Sequence, residues 1–136
     1  MAYTSYLDVR ERELKDGVET FLRASSTQVE SDAVDNAPVN SGALRADIKA
    51  VVTMRGVTGD AIIGTSLFYS IFQHDGTGIY AINGGRTDVP WVYKNLITGE
   101  FRTTSGIKPT LFLLEAAVYN TPFIYQTAYQ VLSSLY

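Results

Sequence analysis

A helical period that runs from about Tyr6 to about Asn36 and is then cut off by Pro38 constrains this chain more than any other feature. Leu14, Val18, Phe21 or Leu22, Ser25 and Val29 recur at spacings of three and four, while Arg10, Glu11, Glu13, Lys15 and Glu19 fill positions between them. That arrangement puts an apolar stripe along one side of a helix and charge along the other. Gly17 lies inside it and weakens it by about 1 kcal/mol relative to alanine, because glycine gives up more backbone freedom. Pro38 ends it, since the residue before a proline is pushed out of the helical region. The rest of the fold has to be built around one long helix that needs a partner for its stripe.

Beyond the helix the chain turns a corner, "APVNSGALRADI", residues 37–48. Pro38 and Gly42 turn the chain, the Ser41 hydroxyl is placed to cap a short turn over Gly42–Ala46, Leu44 can plug the junction from the inside, and Arg45 can pair with carboxylates or carbonyls there. From Asp47 the period drops to two. Ile48, Ala50, Val52 and Met54 alternate with Asp47, Lys49, Val51 and Thr53 up to a turn over Gly56–Asp60, after which Ala61–Gly64 reads as the hairpin partner. Leu67, Phe68, Ile71 and Phe72 then have helical spacing, but only over about two turns. Residues 75–90, "DGTGIYAINGGRTDVP", carry Gly76, Gly78, Gly84 and Gly85 without apolar periodicity, which predicts an exposed, mobile loop that orders on a partner. Its candidate interface residues are Asp75, Gly76, Thr77, Gly78, Tyr80, Arg86 and, just beyond it, Trp91. "WVYKNLITGEFRTTSG" has aromatic and β-branched residues on both sides of an "ITGE" turn, a second hairpin signal.

The last segment sets Leu113, Ala117, Asn120, Ile124, Ala128, Val131 and Leu135 on one helical face. It carries more apolar surface than a lone helix needs, so it packs on the sheet, the first helix or a neighbouring subunit. Pro122 removes a backbone donor, which predicts a break near Thr121 with Asn120 or Thr121 as the new cap. The expected fold is α+β: a long N-terminal helix and a C-terminal helical segment packed on a small antiparallel sheet of about four strands. With 136 residues, 46% of them hydrophobic, the chain suits one domain over 1–136.

Composition then removes whole classes of function. Without cysteine there is no disulfide framework, thiolate metal site or cysteine nucleophile. Eleven Lys and Arg against fourteen Asp and Glu, with the basic residues scattered, do not suit phosphate neutralisation along a nucleic acid. Nor do the tyrosines make a base-stacking platform, which comes with a basic groove; they fit core or protein interface. The N-terminal stretch lacks the pattern of a secretion signal, and no run approaches the roughly 18 apolar residues of a membrane span. A soluble chain made inside a cell is expected.

Chemistry has one tempting position, His74-Asp75, the single histidine beside a carboxylate and a glycine turn. A proton relay needs a nucleophile or second carboxylate in a recognisable pairing, which the sequence does not show, so a structural helix stop is the better reading. The glycines match neither dinucleotide nor P-loop spacing. One histidine and dispersed carboxylates make no metal cluster.

Three stretches carry a resemblance. "APVNSGALRADI" is similar to the A-P-x-x-[ST]-G-x-L-R-x-[ST]-I corner of a family of tail-completion (neck, head-to-tail joining) proteins of long-tailed bacteriophages. "YSIFQHDGTG" resembles that family's Tyr-Ala-x-x-x-Glu-x-Gly-Thr segment, with Gln73-His74-Asp75 replacing the glutamate context, and "TTSGIKPTLFLLEAA" resembles its Gly-x-x-Pro-x-x-Phe-Leu-x-x-Ala lead into the last helix. Asn40 stands where the family has an acidic residue. The three fall in order across residues 37–117.

The resemblance implies a structural virion protein of the phage neck, not an enzyme and without a cofactor, joining capsid and tail as part of a ring, or alternatively a tail terminator or minor capsid protein. Its implied partners are its own copies, head-closure or adaptor proteins, and the tail terminator or tail tube protein, with DNA only passing through a channel and no membrane. It implies synthesis in the host cytoplasm and a final place at the head–tail junction. Asp60, Asp75, Asp88 and Glu100 are the acidic residues expected to face such a channel and repel phosphates.

Overall fold

The computed structural model describes residues 2–39, 42–82, 84–85, 88–94 and 98–135, with side chains from residue 7 onward. Helix α1 (Ala2–Asn36) is followed by the short helix α2 (Ala43–Asp47), strands β1 (Lys49–Arg55) and β2 (Thr58–Gly64), helix α3 (Ser70–Asp75) and a 3₁₀ turn at Gly78–Tyr80. Strands β3 (Trp91–Lys94) and β4 (Phe101–Thr104) come next, then helices α4 (Phe112–Tyr119) and α5 (Thr121–Ser134). The architecture is α+β, as expected.

Among the described residues the strands form two separate antiparallel pairs, β1 with β2 and β3 with β4, and not one sheet of about four. The first hairpin is also tighter than expected. Arg55 pairs with Thr58, so Gly56-Val57 alone makes the turn, with Gly56 at φ 64°, as a two-residue turn opening on glycine requires. Alternation holds along β1, where Ala50, Val52 and Met54 face inward and Lys49, Val51, Thr53 and Arg55 face out. Gly59 lies inside β2 because its neighbours leave no room: a Cβ there would stand 2.6 Å from Met54 Sδ and 2.9 Å from Leu22 Cδ1, where the hairpin meets α1.

The buried stripe of α1 is made of small residues. Ser25, Val29, Ala33 and Ala37, each four apart, are buried, and Leu44, Ile48, Phe112 and Ala116 close over them. Leu14, by contrast, is exposed, because at this end of α1 the cover narrows to the end of α5. Gly17 has its use here: a Cβ would lie 3.1 Å from Val131 Cγ1 and 3.4 Å from Leu135 Cδ1, so its absence lets α5 come close.

The break in the C-terminal segment falls at Asn120, between α4 and α5, with Pro122 in the first turn of α5. Asn120 is buried and donates through Nδ2 to Asp32 of α1 at 2.6 Å, which pins the break to the long helix. The inward face differs from expectation by one position in α4. Phe112 and Ala116 point in and Ala117 is exposed, whereas Asn120 is buried and Leu113, Ile124, Ala128, Val131 and Leu135 are half-buried as expected. A segment apolar on several sides has no polar face to fix its rotation, so the packing of Phe112 decides it.

Leu44 is 4% exposed in the middle of this core. Leu44→Ala is expected to cost about 2–5 kcal/mol, transfer plus cavity, and a loss under about 1 kcal/mol in denaturant titration would contradict that packing.

Candidate functional site

The corner is rigid for identifiable reasons. Gly42 opens α2 in the left-handed region, at φ 78°. Arg45 reaches back to the end of α1, donating from Nε to the Ala37 carbonyl at 3.0 Å and from Nη2 to the Asp35 carbonyl at 3.1 Å. These carbonyls lie at the C-terminal end of the helix, where backbone acceptors lack partners within the helix and a cation is favoured by the dipole. Pro38 is half-buried beside them. Ser41, the expected cap, lies outside the described residues.

Asp47 then ties the corner to the segment leaving β2. Its carboxylate accepts from Thr65 Oγ1 at 2.5 Å, from the Ser66 amide at 2.6 Å and from Ser66 Oγ at 3.0 Å. The Thr65 hydroxyl, followed by the Ser66 amide and hydroxyl, holds this carboxyl below its usual range. A pKa lowered by folding stabilises the fold fully above the unfolded value of about 3.9, and that contribution fades as pH falls through the folded value. Asp47→Asn is therefore expected to be less stable than the parent at neutral pH, with the gap closing in acid. Denaturant midpoints across that range test this, and a gap independent of pH would contradict it.

The first half of the expected mobile loop is a crossing of two backbones. Thr77 N donates to Ile107 O at 2.9 Å, Ile107 N to Thr77 Oγ1 at 2.9 Å, and Ile79 N to Ser105 O at 3.3 Å. Gly76 and Gly78 are buried. A Cβ on Gly78 would overlap Ser105 O, and one on Gly106 would overlap Thr77 O. These glycines are there for lack of space, not for freedom, so Asp75, Gly76, Thr77 and Gly78 do not form the open loop expected of them. Tyr80 is exposed with the Lys108 ammonium 5.8 Å from its ring centre, Trp91 is half-buried at the start of β3, and Arg86 lies outside the described residues.

His74 serves the helix α4. Leu114 N, in the first turn of α4, donates to His74 Nε2 at 3.2 Å, which leaves Nδ1–H to donate to Asp75 Oδ1 at 2.7 Å. The ring also meets Phe112 edge-on, centroids 5.3 Å apart. A cavity of about 270 Å³ adjoins it, lined by Thr65, Ser70 and Ile71 among others. Nε2 is thus engaged in holding α4 and Nδ1 in the bond to Asp75, and a histidine so engaged has no free lone pair with which to take a proton from a substrate. Of the other acidic residues expected at a channel, Asp60 pairs with Arg55 and Glu100 with Arg102, each at 3.4 Å and exposed.

The surface also carries a cleft and exposed apolar groups. A cleft of about 670 Å³ between the end of α1 and α4 is lined by Asp32, Asp35, Glu115, Leu114, Val118 and Tyr119. Beyond it Tyr125, Tyr129 and Leu132 stand exposed along α5. Phe68, Ile71 and Phe72 are exposed around α3. An arrangement of this kind offers docking surfaces.

A protein-family profile described as "Bacteriophage HK97-gp10, putative tail-component" matches residues 2–76. The chain belongs to the HK97-gp10-like family. It is accordingly a bacteriophage protein, a tail-related structural component whose place is the virion and whose partners are other virion proteins. No curated protein and no solved structure matches it. No helix among the described residues is long and apolar enough to cross a membrane.

The part matched to the HK97-gp10-like family contains α1, the corner, the first hairpin and α3, and stops at Gly76. Leu44, Arg45 and Asp47 fall inside it, and the partners of the glycine crossing, Ser105–Ile107, outside. Sequence reasoning reached Leu44 and Arg45 but missed Asp47. The signal available was the Thr65-Ser66 pair just past β2, two hydroxyls where a carboxylate needs donors. It also missed that Ala116–Leu135 contains no charged residue, although that run is plain in the sequence.

Proposed function

We propose that this chain is a tail-completion protein of the phage neck, joining capsid to tail as one subunit of a ring. Membership of the HK97-gp10-like tail-component family carries this reading, and the corner, the glycine segment and the lead into the last helix, in that order, support the neck in particular. Residues 1–136 act as one domain, because Phe112 and Ala116 complete a core otherwise supplied from residues 29–48. The ring's neighbours are further copies, a head-closure or adaptor protein on one side and the tail terminator or tail tube protein on the other, with DNA passing through the middle. The work is assembly: the chemistry of His74 and Asp75 is spent on holding α4.

Removing the gene from an infecting phage tests this. Filled heads and finished tails that fail to join, restored by the protein supplied in trans, are the expected result under the electron microscope. Joined, infectious particles would refute it, while tails of uncontrolled length would move the protein to the tail terminator's place and defective heads to that of a minor capsid protein.

A further inference from the structure

The outward side of α5, continued by Val118 and Leu114 of α4, is rich in exposed tyrosine and aliphatic side chains. No Asp, Glu, Lys or Arg occurs from Ala116 to Leu135, whereas α1 carries eight charged residues between Arg10 and Arg23. Tyr125, Tyr129 and Leu132 succeed one another at helical spacing, and Val118 and Leu114 precede Tyr125 by seven and eleven residues. The break at Asn120 does not scatter them, because Asn120 N donates to Ala116 O at 3.2 Å and Ile124 N to Asn120 O at 2.9 Å, keeping the helical register through it. All five residues are more than half exposed, the two tyrosines at 73%.

We infer that this stripe is where a second copy of the chain docks. The choice of a copy as occupant rests on the ring reading above and on two observations. The first is electrostatic. The chain has a formal charge of -3, so two copies repel wherever their charged sides meet, and along α5, which has no charged residue, they come together without that cost, the carboxylates of Asp32, Asp35 and Glu115 lying beside its α4 end. The second is size. Two tyrosines and three aliphatic side chains exposed to this degree present on the order of 600 Å², the lower end of what each partner of a standard-sized interface buries. Depletion of charge with enrichment of tyrosine is also what the centre of a protein interface shows.

The test uses the purified, full chain. Its mass is followed by sedimentation from dilute to concentrated solution, for the parent, for a Tyr125→Glu/Tyr129→Glu variant and for a control, Val51→Glu/Ile62→Glu, which puts the same charge on the outer face of the first hairpin, where those two residues are cross-strand partners and exposed. The parent and the control are expected to self-associate alike, and the tyrosine variant to do so more than about tenfold more weakly, as loss of interface anchors gives. A parent that stays monomeric, or a tyrosine variant that associates like the control, overturns the inference.

Should the double glutamate variant not fold, Tyr129→Cys alone suffices, since the chain has no other cysteine. Its rate of labelling by a maleimide should fall severalfold as the protein is concentrated, and a constant rate overturns the inference. Failure of the neck reading would show in the gene-removal particles and leave these masses unchanged, so the two can be told apart.

Discussion

Phe112→Ala is expected to lower stability by about 3–5 kcal/mol, enough to unfold a large part of the population of a marginal domain. Phe112 is 0% exposed, the first residue of α4, and the largest side chain in a core otherwise made of Val29, Ala33, Ala37, Leu44, Ile48 and Ala116. Ala33, Ala37 and Ala116 in the same core are too short to reach into the space, so a cavity term adds to the lost transfer energy. The His74 ring, which rests on Phe112 at its edge, would lose that support together with its hold on α4. Chemical denaturation decides, and a loss under about 1.5 kcal/mol would mean that the core collapses around the deletion.

Gly78→Ala is the second large effect, for the opposite reason. At φ 62° an L-residue is strained, and its Cβ would occupy the place of the Ser105 carbonyl, a backbone atom that cannot swing aside like a side chain. Strain of about 1–3 kcal/mol and overpacking of similar size together predict a loss of about 2–6 kcal/mol, or local separation of the two strands of the crossing. Hydrogen exchange distinguishes these outcomes: in the second, the amides of Thr77, Ile79 and Ile107 lose protection while those of β1 and β2 keep theirs. A variant with parental stability and parental protection would show that the backbones do not cross at this point. Gly106, which faces Thr77 from the other side at φ 134°, should behave in the same way.

Features set by near neighbours in sequence were readable, and features set by distant ones were not. The long helix, its stop before Pro38, the alternation along β1 and the break beside Pro122 all arise from periodicity or from a proline acting on its own backbone, and all are present. Leu44 and Arg45 could be assigned roles because the corner brings them against residues less than a dozen positions away. The glycine segment was misread because the same residue serves freedom and close approach. Only Ile107, 30 residues on from Thr77, reveals which applies. Four strands could be found one at a time, but whether two hairpins join into one sheet depends on edge pairing that no local pattern records. The face of α4 could not be read because Leu113, Leu114, Ala117 and Val118 are as apolar as the buried Phe112 and Ala116, so its surroundings, not its sequence, choose the face.

The dependence of α1 on α4 and α5 also orders events in time. Asn120 meets Asp32 across 88 residues and Arg10 meets the Leu135 carbonyl across 125, so the long helix leaves the ribosome with its stripe of Val29, Ala33 and Ala37 uncovered. At a synthesis rate of roughly 5–20 residues per second it remains so for several seconds, until Phe112 and the helices behind it emerge. A chain interrupted before Phe112 would have the corner and the first hairpin but neither a closed core nor the tyrosine stripe. Unfinished chains would therefore be barred from joining other subunits by the same contacts that complete the fold, and translation itself would proofread what is admitted to the particle.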